Sequence, residues 1–90
     1  MFYKLVDKEV VLTETIEKDT RVHVAKDEFG DITVSTVFIG IAMNETSCNQ
    51  EPIVFETMIF GGDYDGFQDR YSTWDDAVSG HNVAVELAKK

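Results

Sequence analysis

Asp63-x-Asp65-Gly66, followed by Asp69, is the stretch of this chain that comes nearest to a ligand loop. Alternating carboxylates of that kind can wrap a hard cation such as calcium. The loop fails at its twelfth position, where a bidentate glutamate is required and Trp74 stands. A tight turn, with Asp and Gly in their usual turn roles, is the stronger reading. His81 could serve as a general base or metal ligand. Its one companion is His23 and no cysteine pair joins them, so a zinc site lacks ligands. A packed histidine donating a hydrogen bond to a sheet is expected instead, and Gly80 beside it suggests the close approach of another backbone. Cys48 has no neighbouring Lys, Arg or His to lower its pKa. Ser72 and Ser79 sit in no nucleophile elbow. Gly61-Gly62 is followed by carboxylates and no lysine, which is no phosphate loop. No catalytic residue, metal or other cofactor is expected from these groups. Gly61, Gly62, Trp74 and His81 are read as structural.

The elements that must position these residues follow from hydrophobic period and turn chemistry. Arg21 to Lys26 alternates, which puts Val22 on one face and His23 with Ala25 on the other. Glu28-Phe29-Gly30-Asp31 supplies a turn, and Ile32 to Ile41 returns as the second arm of a hairpin. Val37 to Ile41 and Ile53 to Phe60 are apolar on both faces, the mark of central strands covered on both sides. Ala42 to Pro52 reads as a polar loop, Gly61 to Gly66 as a turn, and Phe67 to Tyr71 as a short strand. Thr73 can cap a helix whose first turn carries Asp75 and Asp76. Trp74, Val78, His81, Val85 and Ala88 form one helical stripe, flanked by Ala77 and Ala84. The expectation is an α+β domain: an antiparallel sheet of about four strands (20–26, 32–41, 53–60 and 67–71) with one C-terminal helix (73–88) packed on it. Residues 1–90 form one domain, with 1–19 the least determined part. There, Tyr3–Val6 and Val10–Thr13 read as short strands around Asp7-Lys8-Glu9, and Thr13–Asp19 as a turn of helix.

Length and composition bound the function. Ninety residues suit one small domain, and 43% hydrophobic with 28% charged residues suits a globular chain. The longest run of apolar residues and glycine, Val37 to Met43, is too short to span a membrane. No signal peptide is expected, and the lone cysteine fits a reducing compartment. The net charge is −9, unevenly placed: residues 27–88 hold twelve acids and one base, Arg70, for a net −11. Such a surface repels nucleic acid and anionic lipid. It can attract a protein with a basic surface, and Asp63, Asp65, Asp69, Asp75 and Asp76 are the candidate contacts. Solubility alone is the competing explanation. Val83 and Leu87, one turn apart on the side of the helix away from Trp74, are candidates for an oligomer surface. Together with a sheet apolar on both faces, they raise the expectation of a homodimer, or of a second sheet face covered by the N-terminal segment.

The central block, Val34-Ser35-Thr36-Val37-Phe38-Ile39-Gly40, then Phe55 to Gly62, then Arg70-Tyr71-Ser72-Thr73-Trp74 and Gly80-His81, carries a resemblance. It is similar to a family of small proteins of tailed bacteriophages and prophages that read VSTVFLG, FETMVFGG, DG and RYSTW-acid-acid-A…GH. The likeness runs over about residues 20–85. Two departures stand out: Ala42-Met43 replaces a frequent Asp-His, and an aromatic-rich upstream helix is reduced to Thr13–Asp19. The resemblance implies no activity. It implies a context, a phage gene product in the host bacterial cytoplasm, where small acidic proteins commonly bind host proteins, defence machinery included. A non-enzymatic accessory protein that binds a host or phage protein is therefore the leading expectation. A small-ligand binder or enzyme using the 61–69 loop and His81, and a minor virion component, are the alternatives.

Overall fold

Turn residues and apolar alternation divide the chain into a hairpin, a four-stranded meander and a helix. The computed structural model describes residues 2–14, 22–42 and 51–90. Strands β1 (Phe2–Val6) and β2 (Glu9–Thr13) pair as an antiparallel hairpin. Its two-residue tip places both Asp7 and Lys8 at positive φ, 49° and 71°, the turn geometry that matches the twist of paired strands. Strands β3 (Val22–Phe29), β4 (Ile32–Phe38), β5 (Phe55–Phe60) and β6 (Gln68–Tyr71) form an antiparallel sheet in the order β3-β4-β5-β6. Helix α1 (Trp74–Ala88) packs across one face of it. The α+β architecture read from the sequence is the one observed. The expected turn of helix at Thr13–Asp19 lies mostly outside the described residues, as do Cys48 and most of the Ala42–Pro52 loop.

The register explains the core. Facing α1, the cross-strand rows are Val22–Phe38–Phe55–Tyr71, Ala25–Thr36–Thr57–Asp69 and Asp27–Val34–Ile59. The helix lays its buried residues Ala77, His81, Ala84, Val85 and Ala88 over these rows in sequence. Two apolar clusters result. Tyr3, Phe38, Val54, Phe55 and Ala77 make one, and Val34, Ile59, Ala84, Val85 and Ala88 make the other. Thr36, Thr57 and His81 form a buried polar band apart from both clusters.

Several expectations are corrected here. A β-bulge between His23 and Ala25 breaks the alternation of β3. It returns Ala25 to the helix face with Val22 and leaves His23 opposite Val37 on the open face, because one extra residue reverses the phase that follows it. The turn occupies only Gly30-Asp31, since Phe29 still pairs with Ile32. Strand β4 stops at Phe38, and Ile41 makes only an isolated bridge to Phe2. Strand β5 starts at Phe55, and Val54 enters the core cluster.

The sheet is not apolar on both sides. Its open face interleaves Val37, Met58 and Phe60 with Thr33, Ser35, Glu28, Lys26, Gln68, Glu56 and Arg70. Arg70 Nε donates to Glu56 Oε2 at 3.0 Å there, and Lys26 pairs with Glu28 at 3.2 Å. This is the mixed face that antiparallel sheets commonly turn to water.

On the helix, Val78 is exposed and Trp74 half-buried, so the buried stripe runs through Ala77 instead. Leu87 packs against the second cluster, so it does not lie on the side away from the sheet, while Val83 is 65% exposed. The nearest neighbour of Gly80 is a side chain, where a backbone was expected: a Cβ there would overlap the ring and hydroxyl of Tyr71.

Candidate functional site

The hairpin creates a cleft. Tyr3 N donates to Gly40 O at 2.7 Å, and Tyr3, Leu5 and Val10 pack against the cluster that contains Phe38 and Phe55. Tyr3, Leu5, Val10 and Leu12 share one side of the hairpin, since Tyr3 pairs with Leu12 and Leu5 with Val10. That side faces the start of α1 across a cleft of about 710 Å³. Tyr3, Val10 and Leu12 line it from the hairpin, and Pro52, Ser72, Thr73 and Trp74 from the other wall. Asp7, Glu9, Glu51 and Asp75 contribute acids, against a single base, Lys8, among the described lining residues. Trp74 is held edge-on to Phe55, with ring centroids 6.4 Å apart at 86°, and the Lys8 ammonium stands 5.7 Å from the centroid of the indole. Thr73 Oγ1 accepts from Asp76 N at 3.1 Å and so caps the helix at the edge of the cleft.

A second polar constellation lies under α1. Thr57 Oγ1 and Thr36 Oγ1 are 2.5 Å apart, Thr36 Oγ1 is 2.7 Å from His81 Nδ1, and His81 Nε2 is 3.3 Å from Asp27 Oδ1. A proton arrangement that satisfies every atom has Nε2–H donating to Asp27, Thr36 O–H donating to Nδ1, and Thr57 O–H donating to Thr36. The types are those of a nucleophile, base and orienting acid. Thr36 and Thr57 are 0% exposed and His81 3%, so the three groups lie in the core and not at the surface. The chain bonds helix to sheet through the middle of the core. Tyr71, in the neighbouring row, buries its hydroxyl without a hydrogen-bond partner among the described residues. Burial pushes its phenol above the ordinary value; the nearby Thr57 hydroxyl opposes that shift and the Asp69 carboxylate adds to it.

The five aspartates proposed as partner contacts do not form one patch. Asp63 and Asp65 lie in the turn after β5, whereas Asp75 and Asp76 begin α1, beyond the opposite end of the sheet. Asp65 Oδ1 accepts from Gly61 N at 2.7 Å, and Asp69 Oδ1 from Arg70 N at 2.9 Å. Only Asp75 of the five lines the cleft. Gly61 and Gly62 adopt φ of 87° and 73°, and a Cβ on Gly61 would strike the carbonyl of Asp31. Val83 and Leu87 border a separate, apolar groove of about 420 Å³ beside Phe67. Among the described residues, no three His, Cys, Asp or Glu side chains converge as a metal site.

Sequence reasoning missed Thr36 and Thr57, although both occupy the apolar phase of their strands and His81 the apolar stripe of the helix. Three polar residues in three buried phases is a readable signal for a buried network. It also missed Tyr3, Asp7, Lys8 and Glu9, whose importance rests on where the hairpin docks. Searches against protein-family models, curated proteins and solved structures return no match. No helix among the described residues is long and apolar enough to cross a membrane.

Proposed function

We propose that this chain is a non-enzymatic accessory protein that binds a partner protein with a basic surface, a host protein in the context that the phage resemblance implies. The observation that carries the reading is charge placement. The net −11 of residues 27–88 falls mainly on exposed positions of the sheet, its turns and α1, including Asp27, Glu28, Asp63, Asp65, Asp69, Asp75, Asp76 and Glu86. A field of one sign speeds encounter with the opposite sign and repels phosphate backbones. The burial of Thr36 and His81 speaks against the enzyme reading, because no substrate reaches either group in this conformation. The hydrogen bonds of His81 run to Thr36 and Asp27, while the 61–66 turn bonds within itself and to Ile59.

The test is capture from host lysate with the tagged chain, followed by measurement of the captured protein's affinity across salt. A basic partner whose affinity falls steadily as salt rises supports the proposal. Salt-insensitive association, or co-purification with particles alone, replaces it with solubility or with the virion reading.

A further inference from the structure

The cleft between the hairpin and α1 has a chemistry that narrows the partner, and the inference rests on the basic-partner reading above. Its wall is an indole whose face already holds a cation, the ammonium of Lys8 at 5.7 Å. Cations sit over tryptophan faces because the ring quadrupole is negative there, and Arg is the commonest occupant. Asp7 and Glu9 on the hairpin and Asp75 on α1 surround the opening, so a second cation meets carboxylates on more than one side. An anion at the helix start meets the opposite: Asp75 and Asp76 occupy the first turn, and Thr73 already takes one of its amides. Tyr3, Val10, Leu12 and Pro52 supply apolar surface for the aliphatic stem of a long basic side chain. The volume, about 710 Å³, lies within the range of roughly 300–1,000 Å³ typical of ligand clefts.

We propose that this cleft seats an arginine-bearing segment of the partner, its guanidinium stacking on Trp74 in the place that Lys8 now holds. Lys8 is then an internal competitor at the tip of a two-residue turn, and it must leave the ring for the partner to bind.

The chain contains one tryptophan, so Trp74 fluorescence reports the cleft directly. The probe is a labelled short oligoarginine peptide at low salt, followed by anisotropy and by Trp74 emission in the same titration. Both signals should saturate together. Lys8→Ala should tighten binding about two- to fivefold beyond any gain from Lys4→Ala, the size of an exposed cation–π contact. Lys4 is the control because it points away from the cleft with Val11 and removes the same charge. Glu9→Gln with Asp75→Asn should weaken binding, and Asp63→Asn should leave it unchanged. Anisotropy binding that leaves Trp74 emission unmoved, or equal effects of Lys8→Ala and Lys4→Ala, overturns the cleft and leaves the acidic-surface reading standing. No peptide binding at low salt overturns both.

Discussion

Thr36 stands at the centre of the buried hydrogen-bond chain, and that position sets an order of stabilities. Thr36→Val keeps the shape of the side chain and removes its hydroxyl. Two groups in fully buried surroundings then lose their partners: His81 Nδ1 and the Thr57 hydroxyl. Each buried orphan costs about 1–3 kcal/mol, so the variant should lose about 2–6 kcal/mol. A domain of this size has only about 5–13 kcal/mol in total. Thr57→Val removes the end of the chain and leaves the Thr36–His81 bond intact, for a loss of about 1 kcal/mol. Replacing all three by apolar residues, Thr36→Val with Thr57→Val and His81→Leu, leaves no orphan in the band. Asp27, whose side chain is half exposed, then returns to water. The triple variant should therefore recover most of the stability lost in Thr36→Val alone. Urea unfolding at constant m-value measures all three. If Thr57→Val costs as much as Thr36→Val, or the triple variant is the least stable, the proton arrangement and the account of this band are wrong.

Phe55 touches both Phe38 (5.3 Å between centroids) and Trp74 and is fully buried; Phe55→Ala should cost about 3–5 kcal/mol and half-buried Trp74→Ala only about 2, an order that thermal melts can check. Gly61→Ala, forced against the Asp31 carbonyl at positive φ, should cost well over 1 kcal/mol. Gly80→Ala should destabilise although alanine is the better helix former by about 1 kcal/mol, and it should turn stabilising in a Tyr71→Ala background, where the obstructing ring is gone; a stabilising Gly80→Ala in the parent would refute the packing. Tyr71→Phe removes an unpaired buried hydroxyl and should raise stability by about 1 kcal/mol at neutral pH. Because the folded phenol titrates above its unfolded value of 10.0, the unfolded state releases its proton first, and the parent should lose further stability relative to Tyr71→Phe as pH rises above that value. Comparing the parent with Tyr71→Phe across that alkaline range isolates the slope.

Local pattern was enough for the elements. The caps, the glycine turns and the two hydrophobic periods act over a few residues, so Thr73, Gly30, the C-terminal helix and the two strands of the N-terminal hairpin were all legible, whereas the stripe drawn through Trp74 and Val78 is displaced to Ala77. Charge was legible too, since −9 is a property of composition. Tertiary structure decided what these elements meet. The bulge at His23–Ala25 is one extra residue in a run that still looks alternating, and only the pairing partner shows the shift. Tyr71 fills the notch at Gly80 because β6 leads into α1 with that ring under the helix. Thr36, Thr57 and His81 lie 21 or more residues apart in pairs, and each looks like an ordinary substitution in its own element until the three rows align. Lys8 reaches Trp74 across 66 positions of chain. Sequence period determines which face a residue occupies; docking of one face on another, set by the summed fit of many side chains, determines its neighbours.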